Sequence, residues 1–187
     1  MAQSSVIVFT GDGKGKTEAA LGLALRALGA DFKVAFIQFI KAWAVSEDQT
    51  LSALQQIYGS KIYLHKGGKG FYYAKDQAQV KPPLTEVSKA EHHKAAADTY
   101  ADVLTRTQSG DYDLVIADEI NNAVHDGLLT KSQLRTLIKT RHPSTHLCLT
   151  GRNFSKDLLP LVDYATSMTK LKHPYDQGSL AIIGIDY

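Results

Sequence analysis

The stretch Val6-Ile7-Val8-Phe9-Thr10-Gly11-Asp12-Gly13-Lys14-Gly15-Lys16-Thr17-Glu18-Ala19-Ala20-Leu21 decides the reading of the fold. An apolar run empties into a glycine-rich loop, and the loop runs straight into residues that favour a helix. Phosphate binding needs that order. Glycines let backbone N–H groups converge on an anion, and the first turn of the helix adds unpaired N–H groups and the positive end of its dipole. Lys16 is placed to reach phosphate oxygens, and the Thr17 hydroxyl to bind Mg²⁺. Thr10 stands where the general phosphate-loop pattern has its first glycine. The plainer alternative, a glycine-rich turn that binds nothing, has to treat strand, loop and helix in register as coincidence.

Working outward, apolar strand-like runs alternate with helical ones, which points to an α/β fold with a mostly parallel sheet covered by helices. Strands are expected at 6–10, 33–40, 61–65, 112–117, 145–150 and 164–170, with a short last run near 180–185. Helices are expected at 17–28, 46–58, 88–108, 130–139 and 155–162. In the first helix Ala20, Leu21, Ala24, Leu25 and Leu28 recur at helical spacing, and Gly29 marks its end.

The chain has 187 residues, 44% hydrophobic and 21% charged, which suits one well-buried domain over residues 1–187. Net charge is +2, from 21 basic against 19 acidic residues, with no basic run or stripe; a nucleic-acid partner is not expected. The run from Val34 to Ile40 is far short of the ~20 apolar residues a spanning helix needs. No signal-peptide pattern opens the chain, so a cytoplasmic protein with no membrane partner is expected. The single cysteine, Cys148, lies in an apolar run and reads as small core filler.

Two more strand ends carry polar groups. Leu114-Val115-Ile116-Ala117-Asp118-Glu119 ends in paired carboxylates, where an acid beside a phosphate loop completes a Mg²⁺ shell. Leu149-Thr150-Gly151-Arg152 places an arginine at another carboxyl edge, suited to phosphate oxygens or to an ordinary surface ion pair. From Lys66 to Ser88 the regular alternation breaks. Gly67-Gly68-Lys69-Gly70 leads into Phe71-Tyr72-Tyr73, then a polar stretch, then Pro82-Pro83. Loops this long inside compact domains are usually functional or disordered. A mobile arm over about 66–88 that lays aromatic rings on a flat ligand is one reading, and a floppy surface insertion is the other for 76–88. Seven histidines invite a metal, but His92-His93 are adjacent on a predicted helix and point in different directions.

Together these elements resemble the ATP:corrinoid adenosyltransferases of the cobalamin-pathway P-loop type. The likeness runs through residues 10–17, Gly22-Leu23-Ala24-Leu25-Arg26-Ala27, Gln38-Phe39-Ile40-Lys41, Gly70-Phe71 and Asp118-Glu119-Ile120-Asn121. It continues through Thr150-Gly151-Arg152, Lys172-His173-Pro174-Tyr175-Asp176 and Gly184-Ile185-Asp186-Tyr187. It covers nearly the whole chain from Val6 onward except about residues 74–90, and it implies a P-loop NTPase-like (RecA-like) sheet with helices on both faces.

The resemblance implies that Gly11, Asp12, Gly13, Lys14, Gly15, Lys16 and Thr17 hold the triphosphate of ATP. Lys16 and Arg152 would neutralise it, acting as the catalytic pair. Thr17 and Glu119 look like the metal-binding pair for Mg²⁺ or Mn²⁺, with Asp118 supporting the metal or binding it through water. Arg26 looks like a nucleotide contact from the first helix. Phe71 matches a family aromatic beside the corrin ring, and Tyr73 falls where some members carry a tryptophan. His173 is either a corrinoid contact or a structural part of its loop. The implied reaction is attack by Co(I) of a reduced corrinoid on C5′ of ATP, with the whole triphosphate leaving. A homodimer is implied, with a flavoprotein among the candidate reductants. Some members carry an N-terminal helical extension over the corrin site, and here the long stretch after Tyr73 is expected to stand in for that cover. Asp12 and Glu18 add negative charge near the triphosphate. An ordinary P-loop ATPase or phosphotransferase, and a non-catalytic nucleotide or corrinoid binding module, are the competing functions.

Overall fold

The alternation of side chains along four buried strands sorts the core into two halves. Val6 and Val8, Ala35 and Ile37, Val115 and Ala117, and Leu147 and Leu149 belong to one cluster. Val34 and Phe36, Leu114 and Ile116, and Cys148 belong to the other, with Ile7 and Phe9 packed against it. Successive residues of a strand face opposite sides, so two separate cores mean a sheet covered on both faces. A computed structural model describes residues 4–70, 72, 87–178 and 180–186.

Its strands are β1 (Val6–Thr10), β2 (Val34–Gln38), β3 (Ile62–Lys66), β4 (Leu114–Asp118), β5 (His146–Thr150) and β6 (Tyr164–Ser167). They form a six-stranded sheet in the order β3-β2-β4-β5-β1-β6. Every pairing is parallel. Helices α1 (Lys16–Gly29) and α2 (Ser46–Tyr58) cover one face through Ala20, Ala24, Leu28 and Leu51. Helices α3 (Lys89–Ser109), α4 (Ile120–His125) and α5 (Lys131–Thr140) cover the other through Val103, Ile120, Ala123, Leu134 and Leu137. This is the α/β, P-loop NTPase-like architecture that the sequence implied. Capping boxes start two of the helices: Ser88 with Glu91 at α3, and Thr130 with Gln133 at α5.

Four expectations are corrected. The helix at 155–162 is a 3₁₀ segment, Lys156–Leu161, because Pro160 inside it has no N–H to donate. The strand at 164–170 stops at Ser167, since the following Met168 turns to the phosphate loop and its carbonyl accepts from Gly13 N. The run near 180–185 is a turn instead of a strand. Ile185 N and Asp186 N both donate to the Ile182 carbonyl, and the Asp186 carboxylate accepts from Ile182 N. Finally, α4 was not expected at all.

Most of the expected arm at 66–88 lies outside the described residues. Its glycine cluster does not, and it is not loose. Gly67 N donates to Gln38 O and Gly70 N to Ile40 O. A Cβ built on Gly67 would strike the Thr99 side chain, and one on Gly68 would strike the Ile40 backbone. These glycines are there for close approach to α3 and to the chain after β2.

Candidate active site

The parallel topology brings the ends of β1, β2, β4 and β5 to one edge, where ligands of open α/β sheets collect. There a cleft of about 880 Å³ opens, lined by Lys16, Thr17, Lys41, Glu119, Arg152 and His173 among others.

The loop between β1 and α1 is held from behind. Met168 N donates to Thr10 O at 2.8 Å and Gly13 N to Met168 O at 2.7 Å. Gly11 (φ +102°) and Gly15 (φ +110°) occupy the left-handed region that side chains disfavour. A Cβ on Gly13 would come within 2.7 Å of the Met168 carbonyl oxygen, so the loop is glycine-rich partly to pack on the chain beneath it. Thr10, the departure from the general pattern, has a use: its Oγ1 accepts from Phe154 N at 3.2 Å and ties the segment after Arg152 to the loop.

The two acids flagged as a charge problem are each engaged. Glu18 pairs with Lys14 one turn away. Asp12 accepts from Lys170 N, and that bond, foremost, holds its carboxyl below the usual range. The Lys16 ammonium donates to Gly13 O. Burial first, then repulsion from Arg152, lowers the Lys16 pKa, against the opposing charges of Glu18, Asp12 and Glu119.

Asp118 and Glu119 are neighbours with opposite surroundings. Asp118 is fully buried. Its Oδ1 accepts from Thr17 Oγ1 at 3.0 Å and Thr150 Oγ1 at 2.6 Å. Its Oδ2 accepts from Gln38 Nε2 at 3.1 Å and lies 3.7 Å from the Lys41 ammonium. Glu119 caps α4 with φ +63°, an uncommon conformation for a non-glycine residue, and its N–H donates to Thr150 Oγ1 at 2.8 Å. Its Oε2 is buried with no hydrogen-bond partner among the described residues. Burial, then the Asp118 charge, raises the Glu119 pKa to about 7. Because Thr17 donates its only proton to Asp118, its lone pairs are left for the cleft. A hard divalent cation accepts such a set, one hydroxyl and one orphaned carboxylate completed by water and phosphate oxygens.

The remaining expected residues divide. Arg152 lines the cleft, with its N–H donating to Asn122 Oδ1 at 2.7 Å, and His173 lines it too. Arg26 does not: it lies exposed on the last turn of α1, while Leu21, Ala24, Leu25 and Leu28 form that helix's cleft wall. Phe71 and Tyr73 lie outside the described residues. Tyr72, between them, packs on His92 (5.4 Å between ring centres) and His93 (6.1 Å), so the paired histidines of α3 grip an aromatic. Cys148 is 0% exposed, and burial pushes its thiol pKa up, which leaves no nucleophile there. Gln38, Lys41, Glu47 and Thr150 had no assigned role in the sequence. Gln38, Lys41 and Thr150 stood out only as polar residues at or just past the end of an apolar strand, within stretches that carry the resemblance, and Glu47, in the first turn of α2, had no signal.

No helix among the described residues is long and apolar enough to cross a membrane. Residues 2–187 match the family described as ATP:corrinoid adenosyltransferase BtuR/CobO/CobP. The chain is 31% identical to a corrinoid adenosyltransferase of Pseudomonas aeruginosa, over 97% of this chain and 83% of that one. It is 32% identical to one of Escherichia coli K12, over 97% and 85%. It is 30% identical to one of a Sinorhizobium species, over 97% and 79%. With the phosphate loop, the paired carboxylates and the arginine gathered at one sheet edge, the chain belongs to the ATP:corrinoid adenosyltransferase family.

Proposed function

We propose that this protein, as a single adenosyltransferase domain, transfers the 5′-deoxyadenosyl group of ATP to Co(I) of cob(I)alamin or a precursor corrinoid. The observation that carries the reading is the convergence of Lys16, Thr17, Glu119 and Arg152 on one cleft. The cobalt electron pair forms the Co–C5′ bond as the C5′–O bond breaks, and triphosphate leaves with that bonding pair. The nucleophile belongs to the substrate, so the chain needs no serine, cysteine or general base. Its residues position two substrates and stabilise the charge of the leaving group.

In this reading the loop amides of residues 11–17 cradle the triphosphate, and Lys16 and Arg152 neutralise it. Thr17 and Glu119 would hold Mg²⁺ or Mn²⁺, and that cation would neutralise further phosphate charge when bound. Asp118 acts behind them, orienting the Thr17 hydroxyl, since both of its oxygens are already engaged. By resemblance Phe71 is assigned to the corrin ring and Tyr73 to a position where some members carry a tryptophan, while His173 is either a corrinoid contact or a structural part of its loop. A homodimer in the cytoplasm, supplied with electrons by a flavoprotein, completes the proposal.

The test is anaerobic mixing with chemically reduced corrinoid and Mg-ATP, followed by absorption spectroscopy and analysis of the phosphates. Adenosylcorrinoid and triphosphate in equal amounts are expected. ADP and phosphate would instead identify an ATPase, and nucleotide returned unchanged a binding module.

A further inference from the structure

Lys41 follows β2 at the carboxyl edge, and its side chain is only 14% exposed. Its ammonium pairs with Glu47 Oε1 at 2.8 Å, in the first turn of α2, and lies 3.7 Å from Asp118 Oδ2. Lys41, Glu47 and Glu119 all line the cleft. Burial works to lower the Lys41 pKa, yet the charges of Asp118, Glu47 and Glu119 raise it overall, so the ammonium is held charged. Around it stand three carboxylates, one of them Glu119 with its orphaned oxygen. No phosphate-loop logic calls for a lysine here, since in the proposed function Lys16 already serves the phosphates.

We propose that Lys41 is a positioning residue for the divalent cation: its buried ammonium fixes Asp118 behind Thr17 and sets the charge that the cation meets. The inference rests on the reading of Thr17 and Glu119 as the cation-binding pair. Without Lys41 the three carboxylates have no counter-charge there, and a bare dication binds too well, before any triphosphate is present. With it, the corner is poised to take the cation together with its polyanion. Glu47 moderates the ammonium from the far side and ties the start of α2 to the same balance.

The sign of the effect separates this role from a merely structural one. Mn²⁺ alone, without nucleotide, is titrated into the full chain at pH 8 and free Mn²⁺ is read by electron paramagnetic resonance. Lys41→Gln should tighten Mn²⁺ at least about tenfold, as removal of one positive charge from a weakly screened site requires. Glu47→Gln should loosen it by about threefold, and Lys41→Arg should stay within about threefold of the parent. Loss of a structural ion pair would weaken binding in both glutamine variants. Unchanged or weaker binding by Lys41→Gln overturns the proposal while leaving the cation pair standing. Absence of any parent Mn²⁺ site sensitive to Glu119→Gln overturns both. Should Lys41→Gln not fold, the double variant Lys41→Gln/Glu47→Gln, which leaves neither charge of the pair alone, takes its place: Mn²⁺ binding about threefold tighter than the parent is expected, and unchanged or weaker binding overturns the proposal.

Discussion

The two ends of the cleft are built by different physics. At the polar end, the phosphate loop, Asp118, Thr150 and the chain after Arg152 are tied together by hydrogen bonds that join residues far apart in sequence. At the apolar end, Leu21, Leu25 and Leu28 of α1 and Leu51 and Leu54 of α2 face a tail whose Leu180 and Ile185 also line the cleft. That tail is largely exposed, with Leu180 at 88% and Ile185 at 63%, and Gly184 N donates to Ser46 Oγ at 3.2 Å to hold it to α2. One end is preorganised for charge. The other offers greasy area with little to fix its shape.

The largest effects should therefore come from the polar end. Lys16→Ala should lower turnover by about 10²–10³-fold, the scale of losing one preorganised charge-stabilising donor. Inhibition by added triphosphate should weaken with it. Near-normal turnover would mean that the leaving group sits elsewhere.

Asp118→Asn comes next. It leaves the fold's shape but puts an amide where Thr17, Thr150 and Gln38 all donate, so at least one donor loses its acceptor. Turnover should fall about 10–100-fold, the usual scale for a residue that orients metal ligands. Mn²⁺ affinity should fall with it; a loss of turnover with metal binding intact would place Asp118 outside the cation's support.

Glu119 provides a pH test. Its folded pKa is raised to about 7, above the ordinary carboxyl value of 4.5, so the folded chain binds that proton more tightly than the unfolded chain. Stability without ligands should be higher at pH 5, where the group is protonated when folded, and fall as pH rises through 7. Glu119→Gln should remove that fall and stabilise the protein at pH 8 by about 1–3 kcal/mol, while abolishing Mn²⁺ binding. Thermal melts at pH 5, 6.5 and 8 check it, and a parallel fall in both proteins would clear Glu119 as the cause.

How much of this was legible depends on distance along the chain. The β1, loop and α1 unit was readable because its signals are local: an apolar run, glycines at the turn and helical spacing. Helix α4 was not, because six residues carry little periodicity. It forms where Glu119 turns into the left-handed region and Ile120 and Ala123 are buried against the sheet. Gly67 and Gly68 read as flexible because a sequence shows a missing side chain, never the Thr99 and Ile40 atoms that fill its space. Strand patterning alone left Asp118 and Glu119 interchangeable as a pair, and it was the resemblance that set Glu119 with Thr17 and Asp118 in support. Only the fold gives one of them partners for both oxygens and leaves the other with an oxygen bare.

The smallest predicted effect tests the apolar end on its own. Leu25 is 51% exposed, so Leu25→Ser should change stability little, within the ±0.5 kcal/mol typical of surface positions. It also lines the cleft, so its loss matters once a nucleoside covers it. Covering a partly exposed leucine is worth roughly 1 kcal/mol, so KM for ATP should rise about three- to tenfold with kcat nearly unchanged. Inhibition by free triphosphate, which has no nucleoside, should not move. If triphosphate inhibition weakened in step with KM, the two ends would be one coupled surface, and the division between charge and grease would be wrong. If neither moved, the adenosine would have to rest away from α1.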